Sequence, residues 1–413
     1  MRRIETVALS AGALVASVFL AFWPSDVADY ARDAGPTLHP LINGDIHAAL
    51  AHQPAMGWFS ILVRAPFAFF AHHADSLLEY QLGALPCVLA TAAIGVWLAA
   101  RMRASGRALA ACALVAVLAV LGPMNWHAMS DGHPEELLGA ALCVAAVLMA
   151  GTGRSPLAAG TVLGLAIATK QWAVLAAGPA ILAAPRGRVQ LAATAMALGG
   201  ALTLAPVLAG PHEVLSPATS VYHAGATAQP ASIWWPLGHA RHIAVAGWSV
   251  EVRTLPQWLA DLTHPLIVAL GVLLPLRLLA ARRPASTEAA LTLLSLLFLL
   301  RCVLDPMTVG YYHVPLMLSL LALEALHRRG LPLQSLLANG VLLLLVTKLP
   351  WGSRPAEVAA IYLAWALPLT AYLVARLYAP GVTSVLGKWL SSSQPPFVTT
   401  TRSSIRTPNA PGR

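Results

Sequence analysis

The sequence predicts an all-α integral membrane protein, a polytopic bundle of about 12 transmembrane helices with extracytoplasmic loops and one interfacial helix. Composition is the first observation behind this. Hydrophobic residues make up 58% of the 413 and charged residues only 10%, and the mean hydropathy is +0.69. A soluble domain carries about 25% charged and roughly 45–50% apolar residues. The second observation is spacing. Apolar runs recur along the chain, and a spanning helix needs ~20 mostly apolar residues. The third is charge. The net +9 is spread in short Lys/Arg clusters between apolar runs, as in cytoplasmic loops. It is not gathered on one face or stripe, as nucleic-acid binding requires.

The runs lie at about 7–23, 82–100, 108–124, 137–150, 157–169, 172–184, 189–209, 265–281, 289–304, 314–326, 333–349 and 356–378. Arg2 and Arg3 precede the first, which has no clear small-residue cleavage site and reads as a retained anchor. The run 56–71 contains Arg64 and Pro66 and reads as a helix lying at the membrane interface. Residues 1–380 form one transmembrane domain. The Ser-, Thr- and Pro-rich tail, 381–413, reads as a disordered cytoplasmic segment. Cys87, Cys112, Cys143 and Cys302 all fall in apolar runs and read as small buried hydrophobes.

Two runs, 157–169 and 172–184, are only ~20 Å long at 1.5 Å per residue. As two short helices they make twelve crossings, with both termini cytoplasmic and 18 of the 26 Lys/Arg inside. As one long helix they would carry Arg186, Arg188, Arg282, Arg283, Arg328 and Arg329 outside, against the positive-inside rule. The sequence therefore predicts a hairpin turning at Lys170, below the outer surface. The same map leaves only Glu5, Glu288 and Glu324 of 17 acids, and only His327 of 14 histidines, on the cytoplasmic side. Titratable groups crowded at one face suggest an extracytoplasmic site.

The outer segments supply the candidates. After the first helix, Asp26, Asp29 and Asp33 fall three and four apart, so a helix puts them on one face. Asp45 follows Gly44 and suits an N-cap of the segment after it. A partly buried carboxylate has a raised pKa and suits a general base, so Asp33, Asp29 and Asp45 are the catalytic candidates. The next segment holds His127, Asp131, His133, Glu135 and Glu136 within ten residues. Pro134 with the two glutamates is also a good helix opening. These are metal-type ligands, but their spacing matches no zinc motif, so no metal or other cofactor is assigned and a divalent cation is unsupported. Lys170 lies between apolar helices, where charge is costly and usually functional. An anionic phosphate is its expected ligand, with Asp131 or Glu135 compensating it otherwise. Trp234 and Trp235 suit an interfacial anchor, or a surface for a sugar ring or acyl chain. Arg301 lies inside an apolar run with Asp305 at i+4, which suits an ion pair or a phosphate contact. Tyr311, Tyr312 and His313 sit where the next helix enters the membrane.

These segments, GHPEE at 132–136, GLAIATKQWA at 164–173, WWPLG at 234–238 and LDP with YY over 304–312, together with acids after the first helix, resemble the GT-C glycosyltransferases. The likeness is to an actinobacterial, family-87-like branch, and it covers roughly residues 1–380. It implies a GT-C-like bundle in the plasma membrane that uses a polyprenyl-phosphate sugar donor and an extracytoplasmic lipid or glycan acceptor. By position it implies a base at Asp33 or Asp29 and a phosphate contact at Lys170. With these go Arg301 and His313 as further donor-phosphate residues, and His133, Glu135, Trp234, Trp235, Tyr311 and Tyr312 as substrate contacts. No clean Asp-x-x-x-Tyr or paired-acid signature follows the first helix. Membrane lipids are the other expected partner, and no nucleic acid is. A transporter or lipid flippase would also show broken helices and intramembrane charge, but the chain has no convincing internal repeat. A non-catalytic scaffold is the third class.

Overall fold

The computed structural model describes residues 2–26, 28–52, 54, 56–209, 227–245, 248–281, 286–328, 330–347 and 354–379. The loop stretch 210–226 and the tail 381–413 lie outside the described residues. Over the described residues, each of the twelve apolar runs is mainly helical, 172–176 as a 3-10 turn. α1 (Arg2–Ala21) is followed by four short helices, α2 (Ala28–Asp33), α3 (Gly35–Ile42), α4 (Ile46–Ala51) and α5 (Trp58–Ala68). Then come α6 (Ser76–Ala104), α7 (Leu109–Leu121), α8 (Pro123–Ser130), α9 (Glu135–Thr152), α10 (Pro156–Ile167), α11 (Ala177–Ala183) and α12 (Arg188–Ala209). The chain closes with α13 (Gln257–Ala280), α14 (Thr287–Leu304), α15 (Val314–His327), α16 (Leu333–Thr347) and α17 (Pro355–Tyr378). Local chemistry sets several starts. Asp75, Ser155 and Ser286 each accept a hydrogen bond from the backbone N–H three residues on, at 2.8, 3.1 and 3.3 Å, as N-caps do.

Among the described residues, seven helical stretches are long and apolar enough to cross a membrane: Ile4–Ala21, Ser76–Ala104, Leu109–Ser130, Glu135–Thr152, Gln257–Ala280, Thr287–Leu304 and Pro355–Tyr378. The outer helices expose large apolar side chains, among them Val15 and Phe19 on α1, Met196 and Leu204 on α12, and Val272 and Leu273 on α13. Such a continuous apolar exterior suits lipid, not water. The central helices α9, α14 and α15 are buried on nearly every side. The fold is that of a helical membrane protein.

The expectation of helices alone needs one correction. Residues 227–254 carry a three-stranded antiparallel sheet in the order β1-β3-β2, with β1 Thr227–Ala228, β2 His239–Val245 and β3 Trp248–Thr254. Its physical source is legible in the strands themselves. In SVEVRT, Val250, Val252 and Thr254 alternate with polar residues, which is the period of a strand. Buried Val252 packs inward, while Glu251 and Arg253 pair with each other at 3.1 Å.

The predicted hairpin is present. α10 stops at Ile167, and the chain resumes as a 3-10 turn, Gln171–Ala176, leading into α11. Gly160 packs on Leu191 and Thr194, Gly164 on Ala195 and Leu198, and Gly199 on Ile167. Both series ascend, so α10 and α12 run parallel, and the chain must reverse between them. Gly153 against Pro185 and Gly187 against Pro156 place both feet of the hairpin at one end of the bundle. The turn is capped from outside its own helix. Gly57 N–H donates to Thr169 O at 2.8 Å and Phe59 N–H to Ala168 O at 3.0 Å, satisfying carbonyls that a helix end leaves free. A side chain at Gly57 would put its Cβ 2.0 Å from Ala168 O, so only glycine allows this approach.

The bundle has two chemically different ends. At the hairpin's feet, the acids predicted to be cytoplasmic each meet an arginine: Glu5 with Arg103 at 2.8 Å, Glu324 with Arg328 at 3.5 Å, and Glu288 with Arg376. Here too Gly151 of α9 packs on Thr287 at the start of α14. The candidate residues gather at the other end.

Candidate functional site

The site is built where α9 begins. Acids in a helix's first turn complement its dipole, and Glu135 and Glu136 are the first two residues of α9, both buried. Glu135 Oε1 lies 3.1 Å from Lys170 Nζ and 3.0 Å from His133 Nδ1, and Oε2 lies 3.8 Å from Arg64 Nη1. Glu136 Oε1 lies 3.5 Å from Lys170 Nζ and accepts from Trp172 Nε1 at 3.2 Å. The Trp172 ring in turn lies 5.1 Å from the Arg301 guanidinium, on which the Glu136 charge also acts. Arg301 stacks on Tyr312 at 4.2 Å and donates to Tyr312 O at 3.1 Å. Arg64, Glu135, Lys170, Glu136 and Arg301 thus form a row of alternating charge. Alternation is what makes it tolerable, because a buried charge is stable only beside its opposite.

Over this row sits a partly open layer. Asp29 and Asp33 are one turn apart on α2, and Asp29 Oδ2 lies 3.5 Å from His133 Nε2. Burial raises the pKa of Asp33, against the lowering effect of the His133 and Lys170 charges. At His133, burial opposes protonation, but the hydrogen bond and charge of Glu135 outweigh it and hold the imidazole above the usual histidine range. The His133 ring also lies against Tyr311, with centroids 4.4 Å apart. Gly310 passes so close to His127 that a Cβ there would be 2.1 Å from the ring. Gly132, at φ +89, turns the backbone against Tyr30.

Of the residues predicted from sequence, Lys170, Arg301, His133, Glu135, Asp29, Asp33, Tyr311 and Tyr312 come together here. Others do not. Asp45 is exposed and N-caps α4, accepting from Ala48 N–H at 2.9 Å. Both His313 nitrogens are engaged, with Gly310 O at 3.0 Å and Tyr362 Oη at 2.8 Å, so it braces α15 against α17. Trp234 donates to Leu304 O at 2.6 Å, and buried Trp235 carries the Arg253 guanidinium 4.8 Å from its ring, so this pair fastens the outer segment to α14.

Two pairings and one placement differ from expectation. Of the two expected partners, Glu135 does compensate Lys170, joined by Glu136, while Asp131 pairs instead with His127 at 3.1 Å. Arg301 and Asp305 are not in ion-pair contact. Asp305 accepts from Met307 N–H at 2.9 Å and lies 3.7 Å from His264, because its extended backbone ends α14 and turns the side chain away from the preceding turn. Arg64, read as part of an interfacial helix, is fully buried, with its guanidinium 5.3 Å from the Tyr30 ring and 6.0 Å from that of Tyr80. Trp172 and Tyr30 also belong to the site. The signal for Arg64 was a charge inside an apolar run, the same signal that singled out Lys170.

Among the described residues no three His, Cys, Asp or Glu side chains are grouped to hold a metal ion. Fold and site together define a helical membrane protein with a buried charge row at one end. No family model, curated protein or solved structure matches the chain.

Proposed function

We propose that the chain is a membrane glycosyltransferase that moves a hexosyl, mannosyl-like, or pentosyl unit from a polyprenyl-phosphate donor to an extracytoplasmic lipid or glycan acceptor. The observation that carries this reading is the juxtaposition at one end of the bundle. Asp33, a carboxylate whose pKa is raised by burial, shares this end with a buried lysine, Lys170, whose charge acts on it, and its helix neighbour Asp29 is joined to that lysine through His133 and Glu135. Transfer from a sugar phosphate needs these two things. Asp33 takes the proton from the acceptor hydroxyl as its oxygen bonds to the sugar's anomeric carbon. The bond from that carbon to the phosphate oxygen breaks, its electron pair leaving with the phosphate. Lys170 and Arg301 meet the charge that develops there, in a site where low dielectric strengthens them.

In this reading the chain crosses the plasma membrane twelve times with both termini in the cytoplasm. The arginine-paired end faces inward and the charge row outward. A transporter is less well supported, because it needs a polar path through the midplane. Below the row, α9 presents Ala140, Ala141, Val144 and Val147, and α14 presents Leu293, Leu296 and Leu297, all buried.

The test is donor use by membranes that contain the protein, followed by donor affinity of the purified protein. Radiolabelled polyprenyl-phosphate mannose or arabinose is incubated with membranes, and label is sought on lipid and glycan acceptors. Affinity for the same donor is measured with wild type, Lys170→Met and Lys170→Arg. Lys170→Met is expected to bind much more weakly and Lys170→Arg to retain part of the binding, because charge is kept while geometry changes. Equal affinity in all three would remove Lys170 from the donor site.

A further inference from the structure

Arg64 has no place in that chemistry, yet it is buried as completely as the Glu135 carboxylate it faces. Its side chain is completely inaccessible. None of its three guanidinium nitrogens has a hydrogen-bond partner among the described residues, and neither does the facing Glu135 Oε2. The two groups stand 3.8 Å apart. Charge-assisted hydrogen bonds form at about 2.7–2.9 Å, so this contact is about 1 Å from closing. The Tyr30 and Tyr80 rings flank the guanidinium, and the Tyr30 hydroxyl is committed to Glu79.

Glu135 Oε1, by contrast, is already shared by Lys170 and His133. Of the two cations that Glu135 meets within the row, Lys170 alone has an accessible part, with 11% of its side chain exposed against none for Arg64. An anion arriving from the open layer therefore reaches Lys170 and not Arg64. To engage that anion fully, Lys170 must loosen its hold on Glu135, which leaves the buried carboxylate with His133 on one oxygen and, among the described residues, no hydrogen-bond partner on the other, and an undercompensated buried charge is unfavourable.

We propose that Arg64 is a positioning residue that takes over the Glu135 carboxylate through its second oxygen when Lys170 turns to an incoming anion. The takeover needs only a small rotation of the Glu135 carboxyl. The frame holds still during it, because the start of α5 is hydrogen-bonded to the turn that carries Lys170, through Gly57 to Thr169 and Phe59 to Ala168. That the anion is the donor's phosphate rests on the glycosyltransferase reading. The coupling among Arg64, Glu135 and Lys170 does not.

The decisive measurement therefore uses no ligand. Lys170→Met imitates the departure of the ammonium. Thermal stability of purified protein is compared for Arg64→Met made in wild type and made in the Lys170→Met background. The loss of melting temperature is expected to be larger in Lys170→Met than in wild type, beyond additivity. Adding Glu135→Gln to Arg64→Met/Lys170→Met should restore stability, and restored yield serves as the readout if the double variant does not fold. Equal losses in the two backgrounds, or no rescue by Glu135→Gln, would overturn the takeover.

A second arm uses farnesyl phosphate as probe. Arg64→Met should bind it about tenfold more weakly than wild type, Arg64→Lys should keep most of the affinity, and Arg64→Met/Glu135→Gln should regain it. Unchanged affinity in Arg64→Met would count against the proposal. If wild type does not bind farnesyl phosphate at all, the phosphate reading fails, and the stability comparison alone decides the role of Arg64.

Discussion

Lys170 has carboxylate oxygens at 3.1 and 3.5 Å, yet one edge of its side chain remains accessible. In the proposed reaction a cation held this way is preorganised, because it is kept charged in a dry setting until the donor's anion replaces part of its compensation. Asp33 is the base in that reaction and Asp29 its neighbour on α2. Asp33→Asn is expected to abolish transfer with normal expression, since a change at a half-buried side chain without a hydrogen-bonding role costs little stability. Full activity in that variant would move the base to Asp29. The pH profile follows from the two raised values. A base must be deprotonated, so the acid limb of the rate should lie above the ordinary carboxylate range, following Asp33. His133, facing Glu135, Asp29 and Lys170, has a folded-state pKa above its unfolded one. Its contribution to stability is complete below the unfolded value and is lost as pH rises through the folded value. His133→Gln should therefore flatten the fall in thermal stability as pH rises above the ordinary histidine range, and an unchanged slope would assign that fall to another group.

At the scale of elements, the site depends on a broken hairpin held by a loop. α10 is 12 residues, about 18 Å at 1.5 Å per residue, too short to span alone. Its free carbonyls at Ala168 and Thr169 are answered by the backbone of residues 57–59. Gly57→Ala should push the loop off the turn, with a cost of about 1–3 kcal/mol as for other overpacking changes. The expected result is a lower melting temperature together with weaker anion binding at Lys170. A variant that melts lower but binds normally would show that the loop stabilises the hairpin without positioning the lysine. Sequence reasoning located the hairpin, because Lys170 interrupts an apolar stretch and positive charges flank both halves. It did not find what caps the turn, since residues 57 and 168 are distant in sequence and a glycine does not name its neighbour.

At the scale of the molecule, the paired arginines at one end and the acid–histidine layer at the other make orientation testable. In a variant lacking the four buried native cysteines, Leu237→Cys, at a position 59% exposed, should react with an impermeant thiol reagent in intact cells. Ser105→Cys, exposed at the opposite end, should react only after lysis. The reverse pattern would invert the molecule in the membrane and put the charge row inside.

What the sequence determined by itself is the class of protein and the position of its helices. Hydropathy is a local sum, and a window of about twenty residues contains everything that the transfer to lipid depends on. The same locality identified Asp45 as a cap and Asp29 with Asp33 as neighbours on one face. What only the tertiary structure decided is pairing. Whether Lys170 meets Asp131 or Glu136, whether Arg301 meets Asp305 or a pair of aromatic rings, and whether Arg64 faces lipid or Glu135 all depend on how α5, α9, α14 and the hairpin turn approach one another. Electrostatic energy is a function of distance through space, and no spacing along the chain encodes it when the partners are 71 residues apart in one pair, Arg64 and Glu135.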